Sequence, residues 1–94
     1  MPTLTATDAR GRTITCRPPT ALDRLRVFKA VGPQLSENPR YVGYATLAMA
    51  VSAIDGVPVP PPANEAQVEA LVERLGDEGL VAVGDALDAH SPLA

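Results

Sequence analysis

Three features of this 94-residue sequence predict a mainly α-helical single domain, residues 1–94, with a short N-terminal β-hairpin and a small bundle of about four helices. Four stretches repeat apolar residues at helical spacing and are opened by capping residues. The first 17 residues instead alternate about a glycine turn. The whole length falls below the roughly 250 residues at which chains divide into separate cores.

The hairpin is expected over residues 3–17. Thr and Ile favour strands, and Gly11 can take the positive φ of a tight turn. At a period of two, Leu4 and Ala6 on one strand face the same side as Ile14 and Cys16 on the other. Pro18 and Pro19 end the second strand, because proline has no amide hydrogen to give a ladder. Thr20 and Asp23 form a capping box that opens a helix over 20–31. Leu22, Leu25, Phe28 and Val31 recur along it every third residue, with Arg24, Arg26 and Lys29 projecting elsewhere, and Gly32-Pro33 is the stop.

Asn38 caps a second helix and Pro39 takes its first position, where the missing amide hydrogen costs nothing. This helix is predicted over 39–54. It is apolar almost all the way round, which makes it the central helix, and Asp55-Gly56 ends it. Residues 56–63 hold four prolines and read as an extended, semi-rigid connector. Asn64, with Gln67 three residues on, opens a helix over 65–75 whose stripe is Val68, Leu71, Val72 and Leu75. Gly76 makes an abrupt corner, Asp77 caps the next helix over 78–89, and Leu80, Val83, Gly84 and Leu87 repeat the stripe. His90 lies near its C-terminus, where the helix dipole favours a cation, and 91–94 read as a flexible tail.

The apolar content is mostly Ala (15), Val (10) and Leu (10), with one Phe, two Tyr and no Trp. A core of such small groups is thin, so a partner or self-association is an expected source of stability. Charge is divided along the chain. Residues 1–40 carry seven basic groups against three acids, and residues 41–94 carry one against eight. That asymmetry points to head-to-tail contact, within one molecule or between copies; two solvated faces are the plain alternative. One cysteine excludes an internal disulfide framework and leads to the expectation of an intracellular protein. Residues 1–8 have no signal-peptide pattern, and the longest uncharged apolar run, 14 residues over 41–54, is short for a bilayer.

Catalytic chemistry finds few groups to use. Cys16 faces the apolar side of the hairpin and His90 sits at the far end of the last helix, so nothing in the sequence joins them as a dyad. The eleven acids show no metal-ligand spacing, and a single histidine cannot build a typical zinc site. No glycine-rich phosphate cradle is present. No enzyme, metal or cofactor is therefore expected. Nucleic acid has a better claim, since Arg10, Arg12 and Arg17 with Arg24, Arg26 and Lys29 could form one positive patch. Against it, the sequence pI is about 4.9 and no aromatic residue interleaves with the arginines.

The order of these elements resembles the tail assembly chaperones of long-tailed bacteriophages. The likeness is carried by residues 53–59 (AIDGVPV), by 64–75, and by 74–83 (RLGDEGLVAV), and it extends over roughly 8–90. It implies a non-enzymatic protein of the host cytoplasm, absent from the mature virion. Such a protein binds the tape measure protein, keeps it soluble and presents it to tail tube protein, and it is often also made as a longer frameshifted product. A structural head-tail or tail component, or a small nucleic-acid-binding regulator using the basic N-terminal half, are the alternative readings.

No short binding motif of that family maps onto this chain, so the candidate residues come from the sequence itself. A helical client needs an apolar groove without strict sequence demands. The candidates are Tyr41, Tyr44, Leu47, Met49 and Val51 on the second helix, with Val68, Leu71, Leu75, Leu80, Val83 and Leu87 on the later stripes. Each also reads as ordinary core. Arg24, Arg26 and Lys29 of one copy facing Glu65, Glu69 and Glu73 of the next would give a homo-oligomer, and the i, i+4 file of like-charged glutamates makes sense against such a cationic surface.

Overall fold

Asp8 ties the first hairpin together. In the computed structural model, which describes residues 3–90, its carboxylate accepts the amides of Arg10 at 3.0 Å and Arg12 at 2.9 Å, and Gly11 turns the chain at φ +79°. The flanking strands β1 (Leu4–Thr7) and β2 (Thr13–Cys16) pair antiparallel with Ala6 opposite Ile14. Ala6, Ile14 and Cys16 are buried on one face, while Thr5, Thr7 and Thr13 are exposed on the other.

Helix α1 (Ala21–Leu35) begins with the reciprocal capping box of Thr20 and Asp23, and Gly32 breaks it at φ +84°. Its buried residues are Asp23, Val27 and Val31, at i, i+4 and i+8. Leu22, Leu25 and Phe28 therefore do not share the buried stripe with Val31, as their spacing of three had predicted. They are exposed at 53, 64 and 44%. The physical reason is Asp23. Arg17, just upstream, takes its carboxylate through two guanidinium nitrogens, Nη2 to Oδ1 at 2.9 Å, and this pair turns the Asp23 side of the helix inward.

Helix α2 (Pro39–Ala50) is capped by Asn38, which accepts the amides of Arg40 and Tyr41. It stops four residues before the predicted end at 54. The chain continues as β3 (Val51–Ile54), which pairs antiparallel with β2. Asp55 and Gly56 then turn it at φ +51° and +80° into β4 (Val57–Pro58). Two successive positive φ values are the signature of the tight turn that matches strand twist, and Asp-Gly is its preferred sequence. Val51 and Ile54, three residues apart, would point to opposite faces of a regular strand. An irregularity that leaves Ser52 without a partner in β2 lets both face inward, and the Ser52 hydroxyl donates to the Thr15 carbonyl at 3.2 Å.

The fold class is thus a correction: three helices and a four-stranded antiparallel sheet of order β1-β2-β3-β4 form a mixed α/β fold, in place of a four-helix bundle. Part of the proline-rich segment 56–63 is an edge strand, where Pro58 needs no amide hydrogen, and Val59 and Pro62 are buried.

Helix α3 (Glu65–His90) is interrupted at Gly76, whose φ of +65° and ψ of −179° make a one-residue corner. Arg12 secures that corner. Its guanidinium donates to the carbonyls of Arg74 at 2.9 Å and Leu75 at 2.7 Å, the ends that the break leaves unpaired. Two apolar clusters result. Ile14, Cys16, Val51 and Ile54 of the sheet pack against Leu71, Leu75, Leu80 and Val83 of α3. Val27 and Val31 of α1 meet Ala45 and Met49 of α2 and Val68 of α3. The predicted tail at 91–94 lies outside the described residues.

Candidate functional site: a groove between α2 and α3

Small residues set the geometry of the α2–α3 contact. Ala45, buried in the middle of α2, packs in one cluster with Val68 of α3, and Tyr41, one turn earlier, and Tyr44, its neighbour in the chain, line the space beside that contact. Between the two helices runs a cavity of about 400 Å³ with a floor of Tyr41, Tyr44, Ala45, Val68, Val72 and Leu80 and a rim of Glu69, Glu73 and Asp77. Tyr44 is 54% exposed at its mouth. The Tyr41 hydroxyl crosses from α2 to α3 and donates to Glu69 Oε2 at 2.7 Å. Burial, then this bond and the charges of Glu69 and Glu65, push the phenol up to about 12, so Tyr41 is a fixed donor and not an acid at neutral pH.

The groove gathers only part of the sequence-predicted set. Tyr41, Tyr44, Val68 and Leu80 line it. Met49, Val51, Leu71, Leu75 and Val83 are buried in the two clusters, and Leu47 and Leu87 are half-buried against the first. Glu69 and Glu73 stand on the rim, whereas Glu65 is exposed on the first turn of α3 away from the lining. Val72 and Asp77 belong to the site although they were not singled out for it. Asp77 continues the file of Glu65, Glu69 and Glu73 at the same spacing of four, and that continuation was the available signal.

The basic residues divide sharply. Arg10 pairs with Glu78 at 3.3 Å, Arg12 with Asp8 at 2.7 Å and Arg17 with Asp23. Burial opposes the Asp8 charge, but the Arg12 amide and guanidinium and the Arg10 amide outweigh it and hold the carboxyl below its ordinary value. Asp23 is held well below the usual carboxylate range, above all by Arg17. Half of the proposed nucleic-acid patch is thereby bound into the fold. Arg24, Arg26 and Lys29 are exposed on α1 and make no ion pair among the described residues.

Cys16 is buried and its thiol is pushed up by that burial, while His90 is exposed as the last residue of α3. Among the described residues no group of three or more His, Cys, Asp or Glu is placed to hold a metal ion, and no helix is long and apolar enough to cross a membrane. No protein-family model matches the chain, and no curated protein or solved structure is significantly similar to it.

Proposed function

We propose that this chain is a non-enzymatic protein-binding module that seats an amphipathic helical segment of a client in the groove between α2 and α3. The observation that carries this reading is the groove itself, with its apolar floor of aromatic and small aliphatic groups and carboxylates along one rim. Such a trough takes helices through i, i+3, i+4 anchors, and its negative edge favours clients with Lys or Arg beside those anchors. The particular role we propose is that of a tail assembly chaperone, with the tape measure protein as client, acting in the host cytoplasm to keep that long helical chain soluble until tail tube protein is added. The basis for the particular role is the sequence resemblance over residues 53–59 and 64–83; the groove supplies the means.

The test is co-expression of the tagged chain with the long helical protein encoded beside it, alongside the double variant Glu69→Lys/Glu73→Lys. Recovery of a soluble complex by the parent chain and its loss in the variant is the expected result. A complex retained undiminished by the charge-reversed groove would overturn the assignment of the site, and no complex in either case would overturn the chaperone role.

A further inference from the structure

Helix α1 presents a surface that its own molecule does not cover. Leu22, Leu25 and Phe28 form an apolar ridge on its outer side, opposite the buried Val27 and Val31. On a helix with 100° between residues, Arg26 and Lys29 flank one side of that ridge and Arg24 the other. The groove between α2 and α3 is its counterpart in shape and sign: a concave apolar floor and a rim of Glu73 and Asp77, neither of which makes an ion pair among the described residues. Within one molecule the two cannot meet, because α1 packs against α2 and α3 through the opposite face.

We infer that the α1 ridge of one copy docks in the α2–α3 groove of a second copy. Phe28 and Leu25 seat against Tyr44 and Val72, while Arg26 and Lys29 lie along Glu73 and Asp77. Two different patches make the contact, so the interface is heterologous, and copies add head to tail into an open chain or a closed ring. The inference uses the groove proposed above for the client, and it gives that groove an occupant when no client is present. A client segment would then compete with assembly, and the oligomer would hold the groove closed to other helices. A contact built on three apolar side chains belongs to the small interfaces, below roughly 1,200 Å², whose association is weak and reversible.

The experiment is sedimentation velocity on the full chain, with two variants that each disable one side. Leu25→Ser/Phe28→Ser removes the ridge at exposed positions, and Tyr44→Ala/Glu73→Ala weakens the groove at its mouth and rim. The parent chain is expected to form concentration-dependent species above a dimer, and each variant alone to sediment as the 9.8 kDa monomer. An equimolar mixture retains one working interface, the ridge of the groove variant in the groove of the ridge variant, and is expected to give a dimer that grows no further. A monomeric parent chain, a ridge variant that still assembles, or a mixture that stays monomeric would each overturn the inference. Circular dichroism of each variant separates loss of assembly from loss of fold. Client capture tests the function separately: the ridge variant, whose groove is intact, is expected to capture client as a monomer, whereas a parent chain that captures client yet never self-associates would sink this inference and leave that reading standing.

Discussion

Replacing Arg12 by Ala tests the most connected side chain of the fold. Arg12 joins the hairpin to the corner of α3 by donating to the carbonyls of Arg74 and Leu75, and its Nε bonds Asp8 at 2.8 Å. Hydrogen bonds from a charged donor contribute about 1.5–3 kcal/mol each, so losing the two carbonyl contacts at the lower end costs about 3 kcal/mol. A chain of 94 residues has a total stability of about 5–14 kcal/mol, which makes that a large share. At about 4–8 °C per kcal/mol for a domain of this size, the midpoint of thermal unfolding should fall by about 12–24 °C. Far-UV circular dichroism during heating is the assay. Arg12→Lys, which keeps the charge but offers a single donor group in place of the planar fork, should recover only part of the loss. A midpoint lowered by less than about 4 °C in Arg12→Ala, roughly 1 kcal/mol, would refute the assignment of Arg12 as the clamp on the α3 corner.

Further predictions follow from the same geometry. At Gly76 the backbone φ is positive and an added Cβ would lie 2.8 Å from Arg10 Nη2 and 3.2 Å from Glu78 Oε1, so Gly76→Ala should destabilise by about 1–3 kcal/mol in urea titration. Gly84→Ala, in open space on the same helix, should instead stabilise by about 0.4–1 kcal/mol. Asp23→Asn should cost about 2–3 kcal/mol at pH 7, through loss of the charge-assisted bonds to Arg17 and the Thr20 amide. Because the folded Asp23 carboxyl titrates below its unfolded value of about 3.9, its contribution is complete above that pH and disappears as pH falls toward the folded value; the gap between wild type and variant should therefore narrow in urea titrations below about pH 4. Cys16, buried in the sheet with a raised thiol pKa, should resist a thiol reagent in buffer and react fully in denaturant; rapid labelling of the native chain would contradict its placement.

The parts of the fold that were legible in the sequence are those decided by local chemistry. Thr20 with Asp23, Asn38 before Pro39, Asn64 with Gln67 and the glycine corner at 76 each satisfy or interrupt neighbouring backbone groups, so a window of a few residues contains the cause. What was not legible depends on distant pairing. Residues 51–54 are apolar enough to continue a buried helix, and only β2, some 37 residues earlier, makes them a strand. A local signal did exist in Asp55-Gly56 between two apolar runs, which marks a hairpin more strongly than a helix stop. Likewise, spacing alone allowed Leu22, Leu25 and Phe28 to be the inner face of α1, and the outcome turned on the partnership of Asp23 with Arg17. The groove was half visible: its tyrosines and glutamates stood out, but which apolar residues were floor and which were core depended on the sheet covering α3 from the other side.

The charge asymmetry of the chain acquires a sharper meaning once the ion pairs are placed. Arg10, Arg12 and Arg17 are spent on joining the hairpin to α1 and α3, and they therefore add little net field around the folded molecule. The cations that remain on α1 flank the exposed Leu22, Leu25 and Phe28, and Glu73 and Asp77 of α3 border the groove between α2 and α3. Leu22, Leu25 and Phe28 keep about half of their surface in solvent, so replacing them with Ser should cost the isolated molecule less stability than the same change at a core position such as Val27. A ridge that folding leaves half exposed, opposite in charge to the rim of a groove that folding leaves open, is the arrangement expected when further stabilising surface for a thin-cored domain is supplied by another chain.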